Sequence, residues 1–515
     1  MEFHRGGRFS EAMSLYSEIL RLDRDDAQVL YLLGSAHLQI GQPTDAIGPL
    51  ERAVGLQPDN ATVHNNYGAA LRELGRPIDA LKSFERGLEL EPKDAELHNN
   101  RATALQVLGR LDDAIAAYDV ALSLNPNYPE AFLNRGTALE DLGRLGEALM
   151  HYDQALELRP DFPEAHYNRG NVMGVLKRTA EALASFDRAR ELKPDYAEAH
   201  WNKALTLISA GRYIEGWELY EWRIKKATSD EPYPTFPRPS WRGREDLHGR
   251  TLFVHSEQGL GDVIQFCRYL PLVHDRGMQV VFEAPVPLIP LVSTLACDMT
   301  VVAQGSMLPH FDAYCPLLSL PYSFGTTLET VPIKIPYLSG DPGRVEWWQR
   351  RLGSRDRFRV GVAWSGTTGA GKLGTRSIPL ETLISATALP IECHSLQVKY
   401  QEGDLQTLER NPEIRQHQEE LVDFAETAAL IECLDLVISI DTSVAHVAGA
   451  LGKPVWVLLA FDADYRWMLE REDSPWYPTA RLFRQPTPGD WQSVIACVTE
   501  ALEAKLSERS PVKEV

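Results

Sequence analysis

The sequence predicts an α-helical repeat superhelix followed by an α/β region of two lobes. Across the first 220 residues, glycine, alanine and proline recur every 34 positions, which is typical of a stacked helical array. From Thr251 onward, apolar runs alternate with helical stretches, a pattern typical of parallel strands joined by crossover helices. The chain has 515 residues, too many for a single core, so several domains are expected.

Each repeated position has a physical role. The glycine is expected to end the first helix of a unit, because the left-handed backbone needed there suits glycine. The proline is expected to end the second helix and open the next unit. The prolines are Pro58, Pro92, Pro126, Pro160 and Pro194, and the glycines are Gly7, Gly41, Gly75, Gly109, Gly143 and Gly211, with Lys177 in the place of one glycine.

This spacing resembles the tetratricopeptide repeat, and the resemblance covers residues 1 to about 223. Such arrays form a concave groove whose usual role is to bind another protein. Gly7 and Ala12 fall in the second helix of a unit whose first helix is missing. We therefore expect the chain to begin inside a longer protein.

One polar position also recurs on the first helix of five units. Stacked amides would form a line along the groove, and an amide can grip an extended peptide backbone of any sequence because it offers one acceptor and two donors. The alternative is that these side chains only brace the neighbouring helix. The residues are Asn66, Asn100, Asn134, Asn168 and Asn202.

Composition excludes several classes of function. A net charge of −20 argues against a nucleic-acid binder, which needs clustered lysine and arginine. No apolar run approaches the roughly 18 residues of a membrane span, and the first residues lack the apolar core of a signal peptide. We therefore expect a cytoplasmic protein. None of the six cysteines forms a C-x-x-C pair, so reduced thiols are expected and no metal site is predicted.

Three motifs in the second half carry a second resemblance. "GLGDVIQFCRYLPLV", "RSIPL" and "DTSVAHVAGALGKPVWVL" look like the motifs of heptosyltransferase-type enzymes. The resemblance implies a GT-B glycosyltransferase fold with two Rossmann-like lobes and a last helix that crosses back to the first lobe. The predicted domains are repeats 1–223, linker 224–250, first (acceptor-side) lobe 251–345, second (nucleotide-sugar) lobe 346–488 and closing helix 489–508.

The third motif is the predicted donor site. It follows an apolar strand, and ligands of open α/β sheets bind where strands end. Thr442 and Ser443 begin a helix whose free amides and dipole suit a phosphate. The resemblance implies that Asp441 to His446 line the donor diphosphate and sugar. A plain helix cap formed by Asp441 or Thr442 is the alternative.

The glycine-rich segment "WSGTTGAGKLGTRSIPL" is predicted to face the same donor. It begins like a phosphate-binding P-loop, but Leu373 stands where the Mg²⁺-binding hydroxyl belongs, so an ATPase is rejected. Lys372 or Arg376 is expected to neutralise the phosphate. Gln397, after a further strand, is expected to touch the base, and the residues that begin the segment, Trp364, Ser365 and Gly366, complete the expected donor site.

The first motif is predicted to supply the catalytic base. Gly259 and Gly261 allow a tight turn between a strand and a helix, and Asp262 stands at the start of that helix. In the family that the motif resembles, the aspartate at this place is the candidate base. His255 and Glu257 are the competitors, and a helix cap is the structural alternative for Asp262.

Together these features predict an enzyme that moves a sugar from a nucleotide-sugar donor to a protein. The acceptor would be a serine or threonine held in the repeat groove, as the resemblance to O-GlcNAc transferase and to bacterial flagellin glycosyltransferases implies. The donor could be UDP-, ADP-, GDP- or CMP-linked. No other cofactor and no metal is expected, since the cleft motifs contain no D-x-D carboxylate pair. The alternatives are a repeat adaptor with inactive lobes and an enzyme directed at lipopolysaccharide or another glycan.

Overall fold

The computed structural model describes residues 2–226, 233–366 and 376–509. The predicted fold class is confirmed, because a helical array precedes an α/β region with two parallel sheets. The chain divides into two compact bodies. One contains Met1–Leu176 with Arg188–Pro194, and the other contains Lys177–Asp187 with Asp195–Val515.

The repeat array is built from pairs of helices, and glycine ends the first helices of the pairs at the predicted positions. First helices end at a glycine in the left-handed region, such as Gly41 at φ 72° and Gly75 at φ 73°. Several begin at a side-chain cap, as Asn60 shows by accepting from the Val63 amide. The helices α1 to α14 span Glu2–Arg5, Phe9–Leu22, Ala27–Gln39, Pro43–Leu56, Ala61–Glu73, Pro77–Leu90, Ala95–Val107, Leu111–Leu124, Pro129–Asp141, Leu145–Leu158, Pro163–Val175, Thr179–Leu192, Ala197–Ser209 and Tyr213–Tyr220.

Small residues let the two helices of a unit pack closely. A Cβ atom on Gly68 would lie 2.5 Å from the Phe84 ring, and one on Gly136 would lie 2.5 Å from the Tyr152 ring. Both rings are fully buried. Phe84 and Tyr152, which occupy equivalent positions of the repeat, therefore fill the space between the paired helices of these units.

The α/β region forms two parallel sheets. Strands β1 to β4 give a sheet of order β3-β2-β1-β4, and strands β5 to β10 give a sheet of order β10-β9-β8-β5-β6-β7. The strands span Thr251–His255, Gln279–Ala284, Met299–Ala303, Ala313–Pro316, Phe358–Ala363, Ile391–Ser395, Ile414–Arg415, Leu436–Ile440, Val455–Leu459 and Ala480–Arg484. Eight of them lie in predicted apolar runs, whereas β7 and β10 have no predicted counterpart.

Helices connect these strands and cover the sheets. Short helices lie in the first lobe, such as the 3-10 helix Val286–Leu288 and the helical turn Ile289–Val292 after β2. The helices α15 to α24 span Leu260–Phe266, Leu270–Asp275, Ile289–Val292, Leu320–Ser323, Pro342–Leu352, Leu380–Thr387, Asp404–Arg410, Phe424–Glu432, Ser443–Ala450 and Trp491–Arg509.

The last repeat helices share a core with the α/β region. Trp217 is fully buried and its ring meets the rings of Phe266 and Trp476 edge to face. The described part of the predicted linker, residues 233–250, lies against the first sheet, since Trp241 donates its amide to the Tyr314 carbonyl. These contacts place the end of the array beside the first motif.

Helix α24 packs on the second sheet. Its buried side chains, among them Trp491, Val498 and Leu502, belong to one apolar cluster with residues of β5, β6, β8 and β9. The family resemblance predicts that this helix crosses back to the first lobe, and the packing described for it is with the second lobe.

Candidate functional site

Both sheets reverse the direction of strand order at one place. In the first sheet, β2 lies on one side of β1 and β4 lies on the other side. In the second sheet, β6 lies on one side of β5 and β8 lies on the other side, so the strand order reverses between β5 and β8. Open α/β sheets bind ligands in the crevice beyond the carboxyl ends of such strands. His255 ends β1, Ala363 ends β5 and Ile440 ends β8, so all three motif regions begin at these crevices.

Glu257, in the loop after β1, is an anchor of this region. Arg223 donates two hydrogen bonds to its carboxylate, at 2.7 and 3.0 Å, and the Tyr233 hydroxyl and the Leu318 amide donate two more. Burial alone would raise the pKa of Glu257, but the Arg223 guanidinium and the Tyr233 hydroxyl hold it below its ordinary value. A carboxylate with four donors is poorly placed to accept a substrate proton.

His255 lies inside the lobe. Its side chain is buried beside the rings of Phe236 and Tyr233, and its Nε2 has no hydrogen-bond partner among the described residues. Burial lowers its pKa, with the charge of Glu257 opposing that shift, so the ring is neutral near pH 7. A neutral imidazole has the protonation state of a base, but the surrounding rings restrict access to it.

Asp262 combines a structural contact with a position in the crevice. Its Oδ2 accepts the Gly259 amide at 2.9 Å, so Asp262 caps the helix from its third residue, whereas Gly259 occupies the N-cap position that the structural alternative gives to Asp262. Its Oδ1 forms an ion pair with Arg466 of the second lobe. Both carboxylate oxygens are therefore engaged, one by the backbone and one by a side chain.

The start of α23 differs from a plain helix cap. Thr442 occupies the N-cap position, but its side chain accepts no hydrogen bond from the first amides of this helix. The Thr442 hydroxyl instead lies 3.1 Å from that of Ser439. Asp441 and Ser443 lie beside it, half-buried. The helix therefore presents backbone donors at its positive end, which is the arrangement that binds phosphate.

His446 lies one turn into α23 and is buried. Its Nδ1 lies 2.8 Å from the Tyr477 hydroxyl, and its ring stacks on that of Trp467. Its Nε2 lies 3.9 Å from Asp441 Oδ1. Burial lowers the pKa of His446 to about 4, although Asp441 opposes this shift, so the ring is neutral near pH 7.

The two motifs meet directly at this helix. A Cβ atom on Gly261 would lie 2.8 Å from Cδ2 of the His446 ring and 3.7 Å from the Ser443 Cα atom. Only a residue without a side chain permits this approach of α15 to α23. The turn that contains Asp262 and the start of α23 therefore lie side by side.

The residues after β5 and β6 lie next to the same site. A Cβ atom on Gly366 would lie 3.3 Å from the Thr442 side chain. Gln397 donates to the Ser365 carbonyl and accepts from the Ser365 amide, so it braces the backbone after β5. Trp364 is buried in the core, stacked on a tyrosine ring, and does not line the crevice.

Of the two basic residues expected to contact the donor phosphate, Arg376 lies within the described residues and Lys372 does not. The Arg376 side chain is more than half exposed, and its Nη1 lies 3.8 Å from Asp441 Oδ2. Arg376 is therefore a described side chain that could neutralise a phosphate beside α23.

Sequence reasoning missed the segment after β9. Arg466 is buried and its Nη1 donates to Asp464 at 2.6 Å, while its Nη2 contacts Asp262. Burial raises the pKa of Asp464, and the nearby carboxylate of Asp441 adds to the rise. The stretch "FDADYRW" after a predicted strand was the available signal, because its polar residues follow a buried strand at the ligand-binding edge.

The asparagine line is partly a bracing network. The Asn100 amide donates to Asn65 at 2.8 Å, and the Asn134 amide donates to Asn99 at 3.1 Å, so successive repeats are tied together. Asn168 donates to the Thr137 hydroxyl. An amide carries two N–H groups, and each of these bonds uses one. The five predicted residues, Asn66, Asn100, Asn134, Asn168 and Asn202, are all half-exposed.

No helix within the described residues is long and apolar enough to cross a membrane. Within the same residues, no group of three or more histidine, cysteine, aspartate or glutamate side chains has the arrangement of a metal site.

Known families match segments in both halves of the chain. Tetratricopeptide-repeat families match residues 2–61, 67–129 and 176–220, as well as 138–174 and 117–150. Glycosyltransferase family 9 (heptosyltransferase) matches residues 416–480. The chain therefore combines segments that match tetratricopeptide repeats with a C-terminal segment that matches glycosyltransferase family 9. The matched glycosyltransferase segment contains Asp441, His446, Asp464 and Arg466, whereas Asp262 lies outside it. Such a domain implies a nucleotide-sugar donor.

Individual proteins are similar to parts of the chain. Protein FlbA of Caulobacter vibrioides is 28% identical over 332 residues, which are 58% of this chain and 54% of that protein. The chain thus spans about half the length of this curated relative. Among solved structures, MamA is 27% identical over 31% of this chain and 93% of its own, with a TM-score of 0.28. The protein TTC0263 of Thermus thermophilus is 24% identical over 35% of this chain and 99% of its own, with a TM-score of 0.33.

Replacing Asp441 by Asn should weaken nucleotide-sugar binding about tenfold or more, because it removes a charged acceptor for the hydroxyl groups of the donor sugar. Calorimetry with UDP-, ADP-, GDP- and CMP-linked sugars measures the effect. Asp435→Asn is the matched control, since Asp435 precedes the same strand β8 at its opposite end and is equally buried. Equal affinity in the wild type and both variants would remove Asp441 from the donor site.

Proposed function

We propose that the protein is an inverting GT-B glycosyltransferase that moves a sugar from a nucleotide-sugar to a serine or threonine of a protein held in the repeat groove. The observation that carries the proposal is the contact of the Gly261–Asp262 turn with the uncapped start of α23. This contact supports the proposal because a carboxylate and a helix start with free backbone amides lie next to each other. Flagellin is one candidate acceptor.

The donor diphosphate would bind the first amides of α23. A helix start favours an anion by about 0.3–1 kcal/mol at a surface and by up to about 2 kcal/mol in a partly buried site. Arg376 would add a positive charge next to the helix, and arginine suits two-point contact with a phosphate. With these groups to stabilise the leaving diphosphate, we propose transfer without a dedicated metal ion.

The reaction would be a single displacement. The acceptor oxygen forms a bond to the anomeric carbon, the bond from that carbon to the diphosphate oxygen breaks, and the acceptor proton passes to Asp262. Since the hydroxyl enters opposite the leaving diphosphate, the anomeric configuration inverts. In the resting structure Arg466 occupies Asp262 Oδ1, so the acceptor hydroxyl must take the place of that contact.

The protein acceptor would lie along the asparagine line. Asn100 and Asn134 each use one amide N–H group in an inter-repeat hydrogen bond, and the second N–H group would donate to a carbonyl of the acceptor peptide. Because these contacts involve only the peptide backbone, acceptors of many different sequences could bind. Recognition would then demand an extended, flexible segment more than a defined sequence. Tetratricopeptide repeats are modules of protein–protein interaction, which supports this choice of acceptor.

A second candidate is transfer to a glycan, with the repeats used only for assembly. The description of the matched family as heptosyltransferase favours it. A repeat adaptor with inactive lobes is less well supported, because Asp262, Arg376, Asp441 and His446 converge on one crevice. A decayed site would have no reason to keep this arrangement.

Changing Asp262 to Asn should lower kcat by about 10²–10⁴-fold, because the amide cannot take the acceptor proton. Nucleotide-sugar affinity should change little, since the asparagine can still cap the Gly259 amide. The measurement is steady-state transfer to a peptide or protein acceptor.

The matched control for this change is Asp423→Asn. Asp423 also accepts a helix amide, from Glu426 at 2.8 Å, and an arginine, Arg344 at 2.6 Å, but lies outside the crevice. It should keep wild-type kcat. A normal kcat in Asp262→Asn would give the role of base to His255, whose replacement by Gln should then abolish transfer.

Replacing Asn100, Asn134 and Asn168 together by Ala should raise KM for a protein acceptor more than it lowers kcat. The groove would bind the acceptor equally well in the ground state and in the transition state, so a weaker groove raises KM and leaves kcat nearly unchanged. Each lost hydrogen bond would reduce the binding free energy by about 0.5–1.5 kcal/mol. The measurement is initial-rate kinetics with a protein acceptor and with a free sugar acceptor.

The control for this triple variant separates groove binding from bracing. The double change Asn65→Ala and Asn99→Ala removes the buried acceptors of the same inter-repeat bonds and leaves the line itself in place. It should lower thermal stability without raising KM. If the triple variant keeps the normal KM, the asparagines serve only as repeat scaffolding, and efficient transfer to free sugar would favour the glycan acceptor.

A further inference from the structure

Lys177 is an exception in the repeat array. It stands at the position that is glycine in six other units, and like those glycines it adopts a left-handed backbone, at φ 59°. A side chain raises the energy of this conformation, whereas glycine adopts it freely. Strained residues of this kind persist where the surrounding structure holds them and often lie at functional sites. A lysine at this strained position is therefore expected to have a function that depends on its side chain.

The Lys177 side chain points to the loop that follows β9. Its ammonium lies 4.6 Å from the centre of the Phe461 ring, a cation–π distance. Phe461 begins the polar stretch that leads to Asp464 and Arg466, and its amide donates to Gln485 after β10. Lys177 thus reaches the carboxyl edge of the second sheet, in the body that contains both lobes.

A second positive group converges on the same loop. Partial desolvation raises the pKa of Asp462, and the charges of Arg376 and Lys177 both oppose that rise. Arg376 also lies 3.8 Å from Asp441, next to the start of α23. Lys177 thus lies at the loop after β9 and Arg376 at the start of α23, and these two segments follow the neighbouring strands β9 and β8.

We propose that Lys177 is a donor-binding residue supplied by the repeat array, whose ammonium contacts the diphosphate of the nucleotide-sugar together with Arg376. This inference rests on the proposed function, because it takes the crevice at α23 as the donor site. It assigns to the array a part in donor binding besides acceptor binding. The anion it would take is a nucleoside diphosphate, free or sugar-linked.

The competing role for Lys177 is a purely structural latch onto Phe461. The two roles predict opposite effects of restoring the repeat's own glycine. A donor ligand at a strained position should leave Lys177→Gly as stable as the wild type or more stable, and weaker in diphosphate binding. A latch should leave Lys177→Gly less stable, with diphosphate affinity unchanged.

The test uses the full chain and isothermal titration calorimetry with UDP, ADP, GDP and CDP and with the matching nucleosides. Lys177→Gly should weaken binding of the diphosphate that the wild type binds by about tenfold, the size of one lost charged hydrogen bond, and should leave nucleoside affinity unchanged. Lys177→Asn should behave like Lys177→Gly, because asparagine tolerates the left-handed backbone but carries no charge. Lys177→Arg should retain most of the affinity.

The matched control puts the lysine in another unit. Gly109 has φ 74° with open space around it, so Gly109→Lys reproduces the strain away from the crevice. It should lower the thermal midpoint and leave diphosphate affinity unchanged.

Wild-type affinity in Lys177→Gly would overturn the inference while the donor site itself stands. A lowered thermal midpoint of Lys177→Gly with normal diphosphate affinity would show that Lys177 is instead a structural latch onto Phe461. If the wild type binds none of the four diphosphates, the inference falls together with the proposed donor site.

Discussion

The close approach of helix α15 to helix α23 is the contact on which the candidate site depends. Gly261 has no side chain, so the backbone of the first lobe can lie against the His446 ring of the second. A methyl group at this position would lie 2.8 Å from that ring, and since His446 is itself fixed by Tyr477 and Trp467, the ring has little room to give way. This contact places the Asp262 carboxylate and the open end of α23 in one crevice.

The buried ion pairs of Arg466 determine which carboxylate oxygens of this crevice are already occupied. Arg466 joins Asp262 to Asp464 across the lobes, and removing one partner of a buried pair costs more than an exposed pair contributes. In the resting state the arginine occupies the oxygen that an acceptor hydroxyl would need. If Asp262 is the base, as we propose, binding of the acceptor would be coupled to a rearrangement of Arg466, whereas the neutral His446 ring adds no charge that would compete with it.

Local pattern explains what the sequence could predict. The 34-residue period, the apolar runs and the polar residues that follow them identified the helices, eight strands and the loops of Asp262 and Asp441. The Arg466–Asp262 pair spans 204 residues, and no local signal marks such a partner. Strand β10 was missed because its short sequence "ARLFR" contains two arginines. The motif predicts Trp364 in the donor site, but its side chain turns into the core, which only the packing decides.

The central claim is that the donor diphosphate sits at the uncapped start of α23. A crystal structure of the protein with its bound nucleoside diphosphate tests this most directly. We expect phosphate oxygens within about 3 Å of the Ser443 and Val444 amides, with Arg376 beside them. A diphosphate bound elsewhere, such as at the end of β1 by His255, with the start of α23 unchanged, would contradict it.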